Sequence, residues 1–199
     1  MAERFGRRTV LVAGSLLAAA PLMATSLSAA PATAWEFAFT RIEGGDLPMR
    51  GFEGRPVLLV NTASMCGFTY QYDGLQQVWE DYRDRGLVVL GVPSGDFGNQ
   101  EYDESGQIKQ FCETNFALDF PLTEKEHVRG ADAHPLYRWL AQELGPAAEP
   151  RWNFHKILIG ADGRPVAAWP SRTEPGDPEI RAALDRALAA SDQADPGGG

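Results

Sequence analysis

Two short apolar runs constrain this chain more than any other feature. Pro56 to Asn61 reads PVLLVN and Leu87 to Val92 reads LVVLGV, without polar alternation. Unbroken runs of this length suit strands buried on both faces. Between them Leu75, Val78, Trp79 and Tyr82 recur at helical spacing, and Gly86 closes the segment. Strand, helix and strand in this order predict a central sheet flanked by helices.

The rest of the chain fits the same plan. From Asp103 to about Phe116 the pattern is helical, with Ile108, Phe111 and Cys112 on one face. Ala133 to Leu144 predicts a third helix, apolar at Leu136, Tyr137 and Leu140. Phe154–Ile159 and Pro165–Trp169 flank Ala161-Asp162-Gly163-Arg164, where Asp-Gly signals a hairpin. A last helix is expected from Asp177 to Ala190, with residues 191–199 as a disordered tail. There is no repeat, no Gly-rich phosphate loop and no domain-sized linker. The order is that of a thioredoxin-like α/β fold with a mixed sheet, in one domain over residues 35–190.

Residues 1–34 are read as a leader outside that domain. Arg4, Arg7 and Arg8 precede an apolar run from Thr9 to about Ala24, shorter than a membrane-crossing helix. Ala32-Thr33-Ala34 then fits a signal-peptidase site, so cleavage is expected before Trp35, with Ser28 to Ala30 as a second site. An uncleaved anchor stays open, as does twin-arginine export through Arg7-Arg8. The expectation is an exported protein, periplasmic or extracellular, with no stable membrane association once the leader is removed. Export would place both cysteines where disulfides persist.

Charge narrows the partners. The 199 residues carry 18 Lys and Arg against 27 Asp and Glu, a net charge of −9, which argues against nucleic acid. Losing residues 1–34 would make it −11. Two cysteines are too few for a disulfide scaffold or a Cys-rich zinc site.

Cys66 lies in NTASMCGFTYQY, just past the first apolar run and just before the first helix. Thr69 is expected to cap that helix and Gly67 to free the turn. A thiol there faces unpaired backbone N–H groups and the positive helix end, which favour the nucleophilic thiolate. Position alone leaves an inert core cysteine open.

NTASMCGFT, GVPSGDFGNQE and RWNFHKILI occur in that order, with IKQFC, FPL, EKEHVRGADAHPLYRWL and DGRPVAAW between and after them. The ordered set resembles the glutathione peroxidase family from about Trp35 to Glu179. The resemblance implies that Cys66 is the peroxidatic cysteine and that Gln100, Trp152 and Asn153 complete the catalytic set. Each of those three alone would read as a loop, core or turn residue. Together they offer carboxamide and indole N–H donors for a thiolate and for the departing oxygen, without adding negative charge. Cys112, in FCETNF, matches the resolving cysteine of members that use thioredoxin. Sulfenic acid at Cys66 would condense with it, and local unwinding around Cys112 is expected. A buried apolar role for Cys112 stays open.

The implied substrate is hydrogen peroxide or an organic hydroperoxide, with a thioredoxin-like protein or glutathione as reductant. The acidic surface, lacking an obvious basic cluster, favours the protein reductant. No metal or organic cofactor is implied. A short segment after Leu144 points to a monomer. Two features depart from the family: Ser94-Gly95-Asp96 puts an acid near the site that, pointing inward, would oppose the thiolate, and His155 is read as a surface strand residue. Two other functions compete. A thiol–disulfide oxidoreductase normally needs Cys-x-x-Cys, but Thr69 stands three residues after Cys66. A secreted binding module would hold Cys66 and Cys112 in a permanent disulfide.

Overall fold

The computed structural model describes residues 1–2 and 33–194. The chain divides into two units after Ala30, and the second, residues 31–199, holds every strand and helix among the described residues. Residues 3–32, which hold most of the expected leader, lie outside the described residues.

A small antiparallel pair opens the fold, β1 (Ala38–Thr40) with β2 (Asp46–Pro48). The central sheet comes next, formed by β3 (Val57–Thr62), β4 (Val88–Pro93), β5 (Lys156–Ile159) and β6 (Pro165–Trp169) in the order β4-β3-β5-β6. β3 runs parallel to β4 and antiparallel to β5, and β5 runs antiparallel to β6. The helices are α1 (Gln71–Tyr82), α2 (Ser105–Phe116), α3 (Pro135–Leu144) and α4 (Pro178–Ala194). α4 therefore continues past Ser191 into residues expected to be tail.

The unbroken apolar runs have a direct cause, because side chains of successive strand residues point to opposite faces and both faces are covered. Leu58, Val60, Val89 and Leu158 face a core with α1, α2 and α4, to which Leu75, Val78, Ile108 and Leu184 contribute. Val57, Leu59, Leu90 and Ile157 face a second core with Leu136 and Leu140 of α3. Cys66 and Cys112 both belong to the first core.

The chain enters this domain before Trp35. Ala34 is fully buried and its N–H donates to the Gly163 carbonyl at 2.9 Å, while Trp35 lies against the β5–β6 turn. Gly163 sits at φ +77°, and a Cβ there would lie 2.6 Å from Trp35 Nε1. Glycine is required on both counts.

Candidate active site

The turn from Ala63 to Tyr70 links β3 to α1 and carries Cys66, which is 9% exposed. Thr69 does not cap α1. Its hydroxyl accepts from the Cys66 N–H at 3.0 Å and lies 2.6 Å from the Cys66 carbonyl, so it closes the cysteine turn itself. The capping position falls to Tyr70, which makes no side-chain cap bond. Gly67 is also dispensable as a glycine: its φ is not positive and a Cβ there would meet nothing within 4 Å. The Phe68 N–H donates to Cys66 Sγ at 3.4 Å, a contact that stabilises negative charge on sulfur.

Gln100 and Asn153 come together. The Met65 N–H donates to the Gln100 carbonyl at 2.9 Å, fastening the Gln100 loop to the residue before Cys66. Asn153 is fully buried, and its Nδ2 donates to Gln100 Oε1 at 3.1 Å. This bond fixes the Gln100 carboxamide with its oxygen occupied and its NH₂ available as a donor. Asn153 thus acts on Gln100, while its own Oδ1 is buried without a partner.

Trp152 is 40% exposed, its ring packs against Phe97 with centroids 5.8 Å apart, and its carbonyl accepts from Asn61 Nδ2 at 3.1 Å. Asn61 also accepts the His155 N–H on Oδ1 at 3.1 Å. These bonds hold Phe154 at φ +62°, a conformation non-glycine residues rarely adopt. Asn61 escaped the sequence reading; a polar side chain closing an apolar strand run was the available signal.

Trp152 and Phe68 share a cleft of about 370 Å³ with Pro170, Ser171, Arg151 and Arg172. Its Ser171–Arg172 side is tied down by Lys156, a fully buried residue that sequence reasoning missed. Its ammonium donates to Gln71 Oε1 and to the Ser171 and Thr173 carbonyls, the two residues flanking Arg172. Burial lowers the Lys156 pKa to about 7.

Two expectations change. Asp96 does not stand free beside the thiol: its carboxylate accepts from the Val128 N–H at 2.7 Å and the Arg129 N–H at 3.2 Å, and meets His127 Nδ1 at 2.6 Å. That carboxylate raises the His127 pKa, first through the hydrogen bond and then through its charge. Arg129 in turn lies over the Phe97 ring, at 5.4 Å from its centroid. His155 is buried rather than on the surface, because β5 lies between β3 and β6; burial, then Lys156, lowers its pKa to about 4.

Cys112 lies on α2, fully buried, and is free, as is Cys66. Burial pushes its thiol pKa up to about 12. The helix turn that holds it ends at Ala117, in left-handed conformation, whose N–H bonds the Cys112 and Glu113 carbonyls. Among the described residues no group of three His, Cys, Asp or Glu side chains is arranged to hold a metal ion.

Known proteins resemble this chain in sequence and fold. The family model described as "Glutathione peroxidase" matches residues 34–141. "Hydroperoxy fatty acid reductase gpx1" of Synechocystis sp. is 42% identical over 164 residues, covering 78% of this chain and 96% of that protein. "Glutathione peroxidase-like peroxiredoxin GPX5" of Chlamydomonas reinhardtii is 41% identical over 150 residues, covering 73% and 93%. Among solved structures, apo Trgpx superposes with a TM-score of 0.65 at 34% identity, covering 80% of this chain and 97% of that one. A thiol:disulfide interchange protein of Chlorobium tepidum, at TM-score 0.58 and 15% identity over 81% and 99%, shares the fold.

Proposed function

We infer that this chain, which belongs to the glutathione peroxidase family and is a thiol peroxidase, reduces hydroperoxides through a sulfenic acid formed on Cys66. The Cys66 thiolate attacks one oxygen of the peroxide bond in line. The other oxygen leaves as water or alcohol once protonated, and the sulfur is left as sulfenic acid. Gln100 Nε2 and Trp152 Nε1 donate to the developing charge, and Asn153 orients Gln100. Cys112 then displaces hydroxide from the sulfenic acid, and a thioredoxin-like protein reopens the disulfide. Closure needs the last turn of α2 to loosen, since the Cys112 carbonyl is tied to Ala117.

The observation that carries this reading is the chain of bonds from Met65 through Gln100 to Asn153, which presents one carboxamide donor beside the cysteine turn. The preferred substrate is an amphiphilic hydroperoxide such as a fatty-acid hydroperoxide. The cleft beside Phe68 and Trp152 supports this: it is apolar along those rings and has Arg151 and Arg172 at its rim for a carboxylate. Two relatives bear the name hydroperoxy fatty acid reductase. Export remains part of the proposal. The burial of Ala34 favours cleavage in Ser28–Ala30 over cleavage before Trp35, because the later cut would remove a packed residue. A monomer, free of the membrane after cleavage, completes it.

The test is one equivalent of hydrogen peroxide added to reduced protein, followed by peptide mapping without reductant. A Cys66–Cys112 disulfide is expected in wild type, a trapped sulfenic acid at Cys66 in Cys112→Ser, and neither in Cys66→Ser. Oxidation that persists in Cys66→Ser contradicts the reading.

A further inference from the structure

Disulfide closure leaves one proton without a carrier. The S–S bond forms as the S–O bond at Cys66 and the S–H bond at Cys112 break. Cys112 sulfur is oxidised, the sulfenic sulfur is reduced, and hydroxide departs with the S–O electron pair. The Cys112 proton must reach that hydroxide to make water. In the wound helix, with its pKa near 12, only about 1 in 10⁵ Cys112 thiols is ionised at pH 7, so the buried thiol must give its proton to a base before the α2 turn loosens.

We propose that Glu101 is that base, taking the proton from Cys112 Sγ and delivering it to the hydroxide leaving Cys66. The proposal rests on Cys112 being the resolving thiol. Glu101 follows Gln100, whose carbonyl is bonded to Met65, so the acid is one residue from the anchor of the Cys66 turn. Its side chain is turned inward, and the residue is 2% exposed. Oε1 accepts the Tyr102 N–H at 2.8 Å, while Oε2 is buried with no hydrogen bond completed.

Three buried hydroxyls share that condition: Thr62 Oγ1 at the end of β3, Ser64 Oγ two residues on, and Tyr72 Oη from α1. Buried polar atoms need partners, and these four act on one another. Two of the hydroxyls act on the acid, and one of them acts on Cys112 as well. Ser64, two residues before Cys66, favours the charged form of Glu101, and Tyr72 interacts with Cys112, Glu101 and Thr62. Cys112 and Tyr72 both feel the Glu101 charge, which disfavours their own ionisation.

The charged and titratable groups that act on Glu101 and Cys112 are few. Burial raises the Glu101 pKa, while Ser64, the Tyr102 N–H and the Lys125 ammonium hold it back. Lys125 is itself paired with Asp103 at 2.6 Å. Tyr72, pushed well above its usual range, is a poor base at neutral pH. Glu113, the carboxylate adjacent to Cys112 in sequence, is exposed and lies 3.5 Å from Lys109. Glu101 is the one buried carboxylate in this set.

The experiment gives a saturating peroxide pulse to wild type, Glu101→Gln and Glu101→Asp from pH 5 to 9. Sulfenic acid and disulfide are counted over time, and sulfenic acid formation reports a folded protein. Wild-type closure is expected to rise through one carboxyl ionisation and then level. Glu101→Gln is expected to close about 100-fold slower at pH 7, accumulating sulfenic acid, with a rate that climbs tenfold per pH unit. Glu101→Asp is expected to recover the plateau. Closure in Glu101→Gln at the wild-type rate and pH profile overturns the proposal alone. Should that variant not fold, the wild-type profile decides: a tenfold climb per unit across the whole range overturns it. A wild type that never forms the disulfide overturns the resolving role of Cys112 and this proposal with it.

Discussion

Replacing Asn153 separates orientation from simple packing at the active site. Its Nδ2 donates to Gln100 Oε1 at 3.1 Å, and that bond fixes which end of the Gln100 carboxamide is left free to donate. Asn153→Ala leaves Gln100 Oε1 unpaired and the carboxamide free to rotate. Loss of one such bond is worth about 1–3 kcal/mol, or about 5- to 150-fold in rate if it is spent on catalysis. Asn153→Asp is nearly isosteric but offers only an acceptor, so Gln100 would turn its NH₂ toward the new carboxylate and its oxygen toward the thiol. That variant loses the donor altogether and adds charge near sulfur, a loss of about 10²- to 10³-fold by analogy with removal of an oxyanion donor. The assay is the second-order rate of Cys66 oxidation by hydrogen peroxide in stopped flow, with urea unfolding as the fold control. The expected order is wild type, Asn153→Ala, then Asn153→Asp. Equal rates for the two variants, or Asp faster than Ala, would refute the argument that Asn153 works by aiming Gln100.

Three further outcomes are expected. Because Asp96 raises the His127 pKa, the pair stabilises the fold fully below the unfolded value of about 6.5 and loses that contribution as pH rises through the higher folded value. His127 is largely exposed, so the wild-type minus Asp96→Asn difference in unfolding free energy should fall by less than about 1 kcal/mol from pH 6 to pH 8.5. The double variant Arg151→Gln, Arg172→Gln should raise KM for a fatty-acid hydroperoxide by about 10-fold and leave KM for its methyl ester unchanged, as loss of a carboxylate contact would. Gly163→Ala, at φ +77° and with a Cβ 2.6 Å from Trp35, should cost at least about 1–2 kcal/mol in urea unfolding and loosen the Trp35 segment.

The sheet was legible because its strands are buried on both faces, so PVLLVN and LVVLGV carry the signal without alternation. The same burial hid His155: a histidine beside Lys156 reads as a surface pair until β6 is known to cover the outer side of β5. Cys66, Gln100, Trp152 and Asn153 were visible as an ordered set, but their division of labour was not. That depends on which amide faces which, and only the 3.1 Å bond between Asn153 and Gln100 decides it. Thr69 was placed in the right turn with the wrong partner, since its hydroxyl reaches the Cys66 backbone before it can reach α1. Glu101 lies in the acidic stretch EYDES and looks solvated, because nothing local reports that the loop buries it. The β1–β2 pair escaped because strands of three residues leave no period to read.

The most direct test of the account is the rate at which the Cys66 thiol reacts with hydrogen peroxide, measured against free cysteine at the same pH and followed by Trp fluorescence and thiol count. Placed donors of the kind that Gln100 and Trp152 supply should make wild type at least about 10³-fold faster than free cysteine, and Cys66→Ser should abolish the fast phase. A wild-type rate equal to that of free cysteine, with hydrogen peroxide and with a fatty-acid hydroperoxide alike, would contradict the account.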